Sequence, residues 1–282
     1  MTLLDDLLYF TVGSKFSSNN YTGSEIQPTA RLLYTPSERQ SVWASVSRAI
    51  RVPSRVADDV VLLAPPTNVP VFPTFPTVLG DRDVESEQSL SWEMGIRAAP
   101  TDEFYWDLAV FYNQYKDLLT FPPSTPGINP ITGVFTIPLN LINGQTAETY
   151  GGELASTWQI NRCWTMRGAY SFLRMDVSGD TFGKEGGSPR SQFFIHSSWD
   201  IGCDWEFDLI GRYVDTLSTD QIPSYFEMDT RLAWRPTDSF EFAVVGRNLL
   251  DRAHSEFGNN AFTGLFATQE QREVYGMITL RY

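Results

Sequence analysis

The sequence of 282 residues predicts an all-β protein, an antiparallel transmembrane β-barrel of about twelve meandering strands. Three observations predict this fold class. Apolar and polar residues alternate with a period of two, the alternating segments are long enough to cross a bilayer, and short turns alternate with long connections.

The period of two is clearest in two segments. In residues 205–213 the odd positions hold apolar residues or glycine, whereas the even positions are mostly charged. Residues 104–117 divide in the same way, with Trp106 and Leu108 on one parity and Asp107 on the other. Because successive side chains of a strand point to opposite faces, the pattern predicts strands with one apolar and one polar face.

The alternating segments are longer than the roughly 5–6 residues of a typical globular strand. A strand that crosses a bilayer at a steep tilt needs about 9–11 residues. We therefore predict twelve membrane-sized strands, with bounds 7–16, 26–34, 41–51, 88–99, 104–121, 147–160, 164–177, 190–201, 205–214, 225–235, 240–248 and 272–282.

The connections between these strands are of two kinds. Short turns rich in Pro, Asp, Asn, Ser and Gly, the residues that tight turns require, lie at 35–40, 100–103, 161–163, 202–204 and 236–239. Long connections lie at 52–87, 122–146, 178–189 and 249–271. Short turns at one end and long loops at the other are typical of outer-membrane barrels, whose long loops form the ligand-facing rim.

The two faces of the strands predict which face meets lipid. Most charged residues within strands share one parity, and that parity mixes both signs, as a wet or plugged lumen would. The apolar parity carries tryptophans within a few residues of the short turns, as expected of the aromatic girdle at a membrane interface. They are Trp106, Trp158, Trp164, Trp199, Trp205 and Trp234.

The alternative is a soluble propeller or sandwich whose aromatic residues fill a core. A propeller would repeat every 40–50 residues or so. The short turns begin at residues 35, 100, 161, 202 and 236, without a fixed spacing, which favours the barrel.

Composition excludes several other classes. The chain has 21 basic and 34 acidic side chains, a net charge of −13, which argues against a nucleic-acid partner. The longest apolar runs are about five residues, far shorter than a spanning helix. The sequence contains no catalytic motif, phosphate loop or metal-ligand spacing, so we predict neither an enzyme nor a cofactor or metal site.

The two cysteines and the two histidines receive structural interpretations. Cys163 and Cys203 lie in turns that are two strands apart. Two strand spacings are about 10 Å, whereas the Cα atoms of a disulfide are at most roughly 7 Å apart, so we predict that the two cysteines do not pair. His196 lies on the polar parity and is expected to be a hydrogen-bonded lumenal residue. His254, near Asp251 and Glu256, is expected to be a solvated loop histidine rather than a metal ligand.

Four stretches of the sequence, in order, resemble the C-terminal part of the β-barrel of TonB-dependent outer-membrane receptors. The first runs from Glu85 to Arg97 and is followed by Thr101-Asp102 and by Ala109 to Leu118. The second is Tyr150-Gly151-Gly152-Glu153-Leu154, and the third is Val245-Gly246-Arg247-Asn248-Leu249-Leu250-Asp251. The last is the closing strand, Tyr275-Gly276-Met277-Ile278-Thr279-Leu280-Arg281-Tyr282.

The resemblance implies that residues 1–282 are a fragment of a single barrel domain, part of a larger barrel of the plugged, 22-stranded type. The N-terminal plug and the early strands would then be absent, as would an export signal. It also implies import of a scarce nutrient, most directly an iron–siderophore complex, without bond chemistry. The runner-up is a self-closed twelve-stranded outer-membrane pore or anchor, and an outer-membrane hydrolase ranks last because its Ser-His pair is not found.

The resemblance further implies the location and the partners. The location is the bacterial outer membrane, with lipid and lipopolysaccharide around the barrel. The barrel-assembly machinery would read the final strand with its terminal Tyr282, and the TonB energy-coupling complex would act only through the plug.

Two long loops carry aromatic residues that are unusual for an exposed rim. Phe72 and Phe75 lie in the first, and Phe257, Phe262 and Phe266 in the second. They are the predicted ligand-contacting residues, because the family's outer loops cup their ligand. The other interpretation is that they pack on each other or on a plug.

Overall fold

The chain folds mainly into long antiparallel strands, as a computed structural model shows for residues 2–4, 7–63, 67–68, 73–128, 133–179, 184–258 and 266–281. The strands are β1 Thr2–Leu4, β2 Leu8–Asn19, β3 Gly23–Ser37, β4 Gln40–Arg51, β5 Val61–Leu63, β6 Thr67–Asn68, β7 Pro73–Leu79, β8 Glu87–Ala98, β9 Phe104–Thr120, β10 Gly127–Ile128, β11 Phe135–Asn140, β12 Ile142–Asn161, β13 Trp164–Val177, β14 Ser191–Ile201, β15 Trp205–Val214, β16 Tyr225–Thr237, β17 Phe240–Arg247, β18 Ala253–Ser255, β19 Gln269–Gln271 and β20 Glu273–Leu280. A short helix α1, Arg55–Asp59, and a 3₁₀ turn, Lys184–Gly186, complete the elements.

One sheet of 13 strands dominates the fold, in the order β1-β2-β3-β4-β8-β9-β12-β13-β14-β15-β16-β17-β20. Each strand pairs antiparallel with its neighbours, so this sheet is a meander. We call the 13-stranded sheet the wall. All twelve predicted strands are confirmed within this sheet, which also includes the short β1. Over the described part of the chain no ladder joins β1 to β20, so the sheet is a partial barrel and does not favour the self-closed alternative.

The long connections contain structure that the sequence did not predict. β5, β6, β7, β10 and β11 form a small loop sheet, in which β7 and β11 run parallel. Beneath it, Ala57, Val84 and Leu141 form a buried cluster with Leu119 and Phe121. No period in the sequence indicates these strands, because strands of two to seven residues are too short to show a recognisable alternation.

The alternation of short and long connections gives the wall two distinct ends. The short-turn end carries the predicted turns, and Cys163 and Cys203 are exposed in two of them as free thiols, which confirms that they do not pair. The long-loop end carries the loop sheet and the β18–β19 hairpin. Among the helices in the described residues, none has the length and apolar character needed to cross a membrane.

Side-chain burial in the wall is the inverse of that in a soluble protein. Apolar residues of one face are open, with Trp158 at 49% and Leu280 at 70% exposed. Carboxylates of the other face are buried, with Glu227 and Glu241 both at 4%. A wall that meets hydrocarbon on its outer face and encloses its polar groups on the inner face has this distribution. We call these the lipid face and the lumenal face.

The tryptophans of the lipid face stack across neighbouring strands close to the short turns. Trp205 and Trp234 have ring centroids 6.0 Å apart, and Trp164 and Trp199 are 5.8 Å apart. The Trp164 indole N–H donates to Ser197 Oγ at 2.8 Å, so its polar atom is satisfied. These positions match the predicted girdle, in which an amphipathic ring lies at the membrane interface.

Two glycines of the lumenal face are covered by aromatic rings from the neighbouring strand. A Cβ on Gly95 would lie 2.7 Å from the Trp43 ring. A Cβ on Gly151 would lie 2.0 Å from the carbonyl oxygen of Phe172 and 2.8 Å from the Phe111 ring. Both glycines belong to the stretches that resemble the receptor family, so close approach of a neighbouring ring explains why those patterns need glycine.

Gly151→Ala is expected to destabilise the wall by about 3 kcal/mol, because a backbone carbonyl cannot move away as a flexible side chain can. The measurement is urea unfolding of the chain in detergent micelles, followed by tryptophan fluorescence.

Gly168→Ala in β13 is the matched control, since its Cβ would meet Ser156 Oγ at an ordinary 3.5 Å. Equal unfolding midpoints for the two variants would contradict the steric account of Gly151.

Candidate functional site

The lumenal face of β15, β16 and β17 carries a continuous network of ion pairs. Register places Asp208 opposite Arg231, and Glu206 opposite Ala233. Ala233 is in turn opposite Ala243, and both alanines are fully buried. Their small side chains leave room for the long arginines from adjacent positions to lie across the sheet.

Arg231 is at the centre of the network. Its guanidinium lies 2.6 Å from Glu206 Oε1, 3.3 Å from Asp208 Oδ2 and 2.5 Å from Glu241 Oε1. Arg235 lies 2.8 Å from Glu206 Oε2 and 2.7 Å from Glu241 Oε2. Arg281 donates to the same Glu241 Oε2 at 3.3 Å. Glu241 therefore accepts from three arginines, which compensates the cost of burying its charge.

A second pair of carboxylates lies nearer the long-loop end. Arg212 contacts Glu227 Oε2 and Asp229 Oδ2, each at 2.6 Å. Between the Arg231 network and the Arg212 carboxylates, His196 Nε2 donates to Asp208 Oδ1 at 2.8 Å. The prediction that His196 is a hydrogen-bonded lumenal histidine is confirmed.

Asn248, which directly follows β17, connects this strand to the loops at the long-loop end. Its φ of 46° lies in the left-handed region, which asparagine tolerates better than most residues. Its backbone N–H donates to Asp229 Oδ1 at 3.0 Å, and its side-chain amide donates to His254 Nδ1 at 3.2 Å and to the Glu270 carbonyl oxygen at 3.1 Å. Asn248 thus connects the wall to the β18–β19 hairpin.

His254 is buried rather than solvated, so the sequence-based expectation for it was wrong. Only 8% of the residue is exposed. The imidazole stacks on the Tyr225 ring with centroids 4.1 Å apart, and the Asn248 contact holds its other side. Burial results from the folding of the β18–β19 hairpin over the start of β16, which a local sequence pattern does not reveal.

A pocket opens at the long-loop end beside His254. It lies between the turn that follows β15 and the segment that follows β17, and its lining includes Asp220, Tyr225, His254, Phe257 and Gln269. Aromatic and polar side chains therefore line the same opening at the rim.

The structure separates the predicted ligand-contacting residues. Phe75 is half-buried in β7 of the loop sheet, opposite Thr136 of β11. Phe257 is in the wall of the rim pocket, and Phe266 is 81% exposed. Phe72, Phe262 and Tyr282 lie outside the described residues, and a role in ligand contact or barrel assembly stays a prediction for all of them.

Sequence reasoning missed Tyr225 and Asn248 as parts of the rim. Asn248 directly follows an alternating strand, and an asparagine at such a position could have indicated a left-handed corner. Tyr225 gave no signal of this kind, because it reads as the first residue of an ordinary strand.

The sequence matches the family described as TonB dependent receptor-like, beta-barrel, over residues 4–249. No curated protein sequence matches the chain at a significant level.

Several solved structures share the fold at low sequence identity. A mutant of the ferric enterobactin receptor PfeA from Pseudomonas aeruginosa has a TM-score of 0.75 and 17% identity, and covers 98% of this chain and 43% of that one. The siderophore receptor PirA from Acinetobacter baumannii has a TM-score of 0.71 and 16% identity, covering 99% and 44%. The ferric-catecholate import receptor Fiu from Escherichia coli K12 has a TM-score of 0.65 and 15% identity, covering 91% and 35%. The chain therefore spans less than half the length of each solved receptor.

Glu241→Gln is expected to lower the free energy of unfolding by about 2 kcal/mol, because a neutral amide cannot replace a carboxylate that accepts from Arg231 and Arg235. Urea unfolding in detergent micelles, followed by tryptophan fluorescence, measures the change. Glu38→Gln, at an exposed turn position, is the control and should leave the midpoint unchanged. Identical midpoints for the two variants would show that the network does not stabilise the wall.

Proposed function

The chain belongs to the TonB-dependent receptor-like β-barrel family, and we propose that it forms the C-terminal part of the barrel of an outer-membrane receptor that imports an iron–siderophore complex. The observation that carries the proposal is the family match over residues 4–249, which covers the same wall whose carboxylates are buried and whose apolar side chains are exposed. The location is the bacterial outer membrane.

The open edges of the sheet support a larger barrel. Unpaired backbone N–H and C=O groups of an edge strand are not tolerated in hydrocarbon. Strands of the same barrel outside those described here would pair with β1 and β20, so that residues 1–282 are one part of a single barrel domain. Plugged barrels of about 22 strands have room for such an arrangement.

In this function the long-loop end binds the ligand and the lumenal face lines its path. Phe257 and Phe266 offer exposed rings to an iron chelate at the rim. The lumenal arginines Arg212, Arg231 and Arg235 already have carboxylate partners in the wall. A wall whose charges are paired internally would hold a passing charged complex only weakly, which suits conduction.

Transport in this proposal requires no bond chemistry from the chain. Energy would reach the barrel from the TonB complex through a plug domain in the lumen. Lipid and lipopolysaccharide would surround the lipid face, and the barrel-assembly machinery would recognise the closing strand.

The siderophore class of ligand is supported by the structural neighbours. They include the PfeA receptor from Pseudomonas aeruginosa in complex with enterobactin. The fold likeness extends over 98% of this chain, which makes the ligand class of those receptors the first to test.

Deletion of the gene is expected to abolish growth on one ferric siderophore as the sole iron source and uptake of radiolabelled iron in that form. Growth of the same deletion strain on cobalamin-limited medium is the control, and it should be unchanged if the receptor is specific for iron. Unchanged uptake across a panel of ferric siderophores would contradict the proposal.

Complementation with rim variants tests the aromatic contacts in the same strain. Phe257→Ala and Phe266→Ala together are expected to raise the ligand concentration for half-maximal uptake about tenfold, as loss of buried aromatic contact would. Phe226→Ala is the control, since Phe226 is 45% exposed, close to the 42% of Phe257, but lies on the lipid face. Surface detection with an antibody verifies assembly of each variant.

A further inference from the structure

We propose that His254, Glu227 and Glu256 form a binding site for a divalent transition-metal cation, with Zn²⁺ as the best fit, at the long-loop end of the wall. This inference is independent of the siderophore proposal, because it concerns a resident ion rather than the imported ligand.

The three residues come from two elements that the fold brings together. Glu227 is on the lumenal face near the start of β16, whereas His254 is in β18 and Glu256 directly follows that strand. One donor atom from each lies within 4.8 Å of the other two. His254 Nε2 lies 3.8 Å from Glu256 Oε1.

His254 points a buried nitrogen into this group. Nε2 is inaccessible to solvent and has no hydrogen-bond partner among the described residues, and only 8% of His254 is exposed. Stacking on Tyr225 and the contact with Asn248 fix the plane of the ring. Buried polar groups are generally paired, and a bound cation would give this nitrogen a partner.

The second nitrogen of the ring, Nδ1, lies beside a carboxylate. Nδ1 accepts from the Asn248 amide, so the proton of the neutral ring is on Nε2. Coordination by Nε2 therefore moves that proton to Nδ1 and turns the Asn248 amide away, since two donors cannot share a hydrogen bond. Asp251 Oδ2 lies 3.6 Å from Nδ1, and a small movement of this partly exposed side chain would let it accept the new hydrogen bond, as a carboxylate commonly does beside a metal-ligating histidine.

The charge around the group favours a cation. The carboxylates of Glu227, Asp251 and Glu256 lie around His254, and Arg212 pairs with Glu227 and with Asp229. Arg212 donates to Oε2 of Glu227, so Oε1 of the same carboxylate is the oxygen that would bind the ion. A bound divalent ion would offset the excess negative charge.

The donor set selects the kind of cation. One imidazole and two carboxylates suit Zn²⁺, whereas Mg²⁺ and Ca²⁺ prefer oxygen ligands alone. Ligands at about 2.0–2.1 Å in a tetrahedral site lie roughly 3.3 Å apart, so the His254–Glu256 distance needs to shorten only slightly. The ion would clamp the β18–β19 hairpin to β16 and fix the wall of the rim pocket.

Isothermal titration of the full chain in detergent micelles with ZnCl₂ tests the site. The expected result is one Zn²⁺ per chain, with no comparable binding of Mg²⁺. His254→Gln and Glu256→Gln should each weaken Zn²⁺ binding at least about tenfold, and so should Asp251→Asn, as loss of a ligand or of its supporting carboxylate does.

His196→Gln is the matched control, since His196 is the other histidine of the chain and already has Asp208 as its partner. This variant should bind Zn²⁺ as the unaltered chain does. Zinc-edge X-ray absorption should show a single imidazole in the coordination shell.

The migration of unheated samples in gels verifies that each variant is folded. If a substitution at buried His254 prevents folding, the Asp251→Asn variant, whose side chain is partly exposed, still tests the site. Absence of stoichiometric Zn²⁺ binding would overturn the proposal. Equal affinity in the His254, Glu256 and Asp251 variants would overturn it as well.

Discussion

The structure depends on one constraint, that backbone polar groups inside a bilayer must be paired within the protein. Continuous antiparallel ladders meet this constraint along the wall from β2 to β20. The strands are long because they must cross the hydrocarbon, and the connections at one end are short because a meander needs only a tight turn there. The period of two in the sequence is the side-chain consequence of the same constraint.

The constraint also explains how charged residues are held in the wall. Side chains that do not face lipid face the lumen, and in this sheet they pair with one another across neighbouring strands. Arg231 reaches Glu206 and Glu241 over Ala233 and Ala243, so small residues are as necessary to the network as the charges are. Gly95 and Gly151 serve a comparable purpose, because rings from the next strand cover the space that a side chain would take.

The structure of the wall could be predicted from the sequence alone, whereas the structure of the rim could not. Period, length and turn composition predicted twelve strands, the tryptophans near the short turns and the lumenal position of His196, since each of these follows from residues close in the chain. The loop sheet and the burial of His254 depend on contacts between segments far apart in sequence. Asn248 illustrates the boundary, because its corner conformation could be anticipated from the residue type but its contacts with His254 and Glu270 could not.

The most direct measurement of which face meets lipid compares single-tryptophan variants reconstituted in bilayers with brominated acyl chains. Trp158 lies on the lipid face and is 49% exposed, whereas Trp43 lies on the lumenal face against Gly95. The account predicts strong quenching of Trp158 by bromine and little quenching of Trp43. Equal quenching of the two tryptophans, or a chain that stays soluble and folded without detergent, would contradict it.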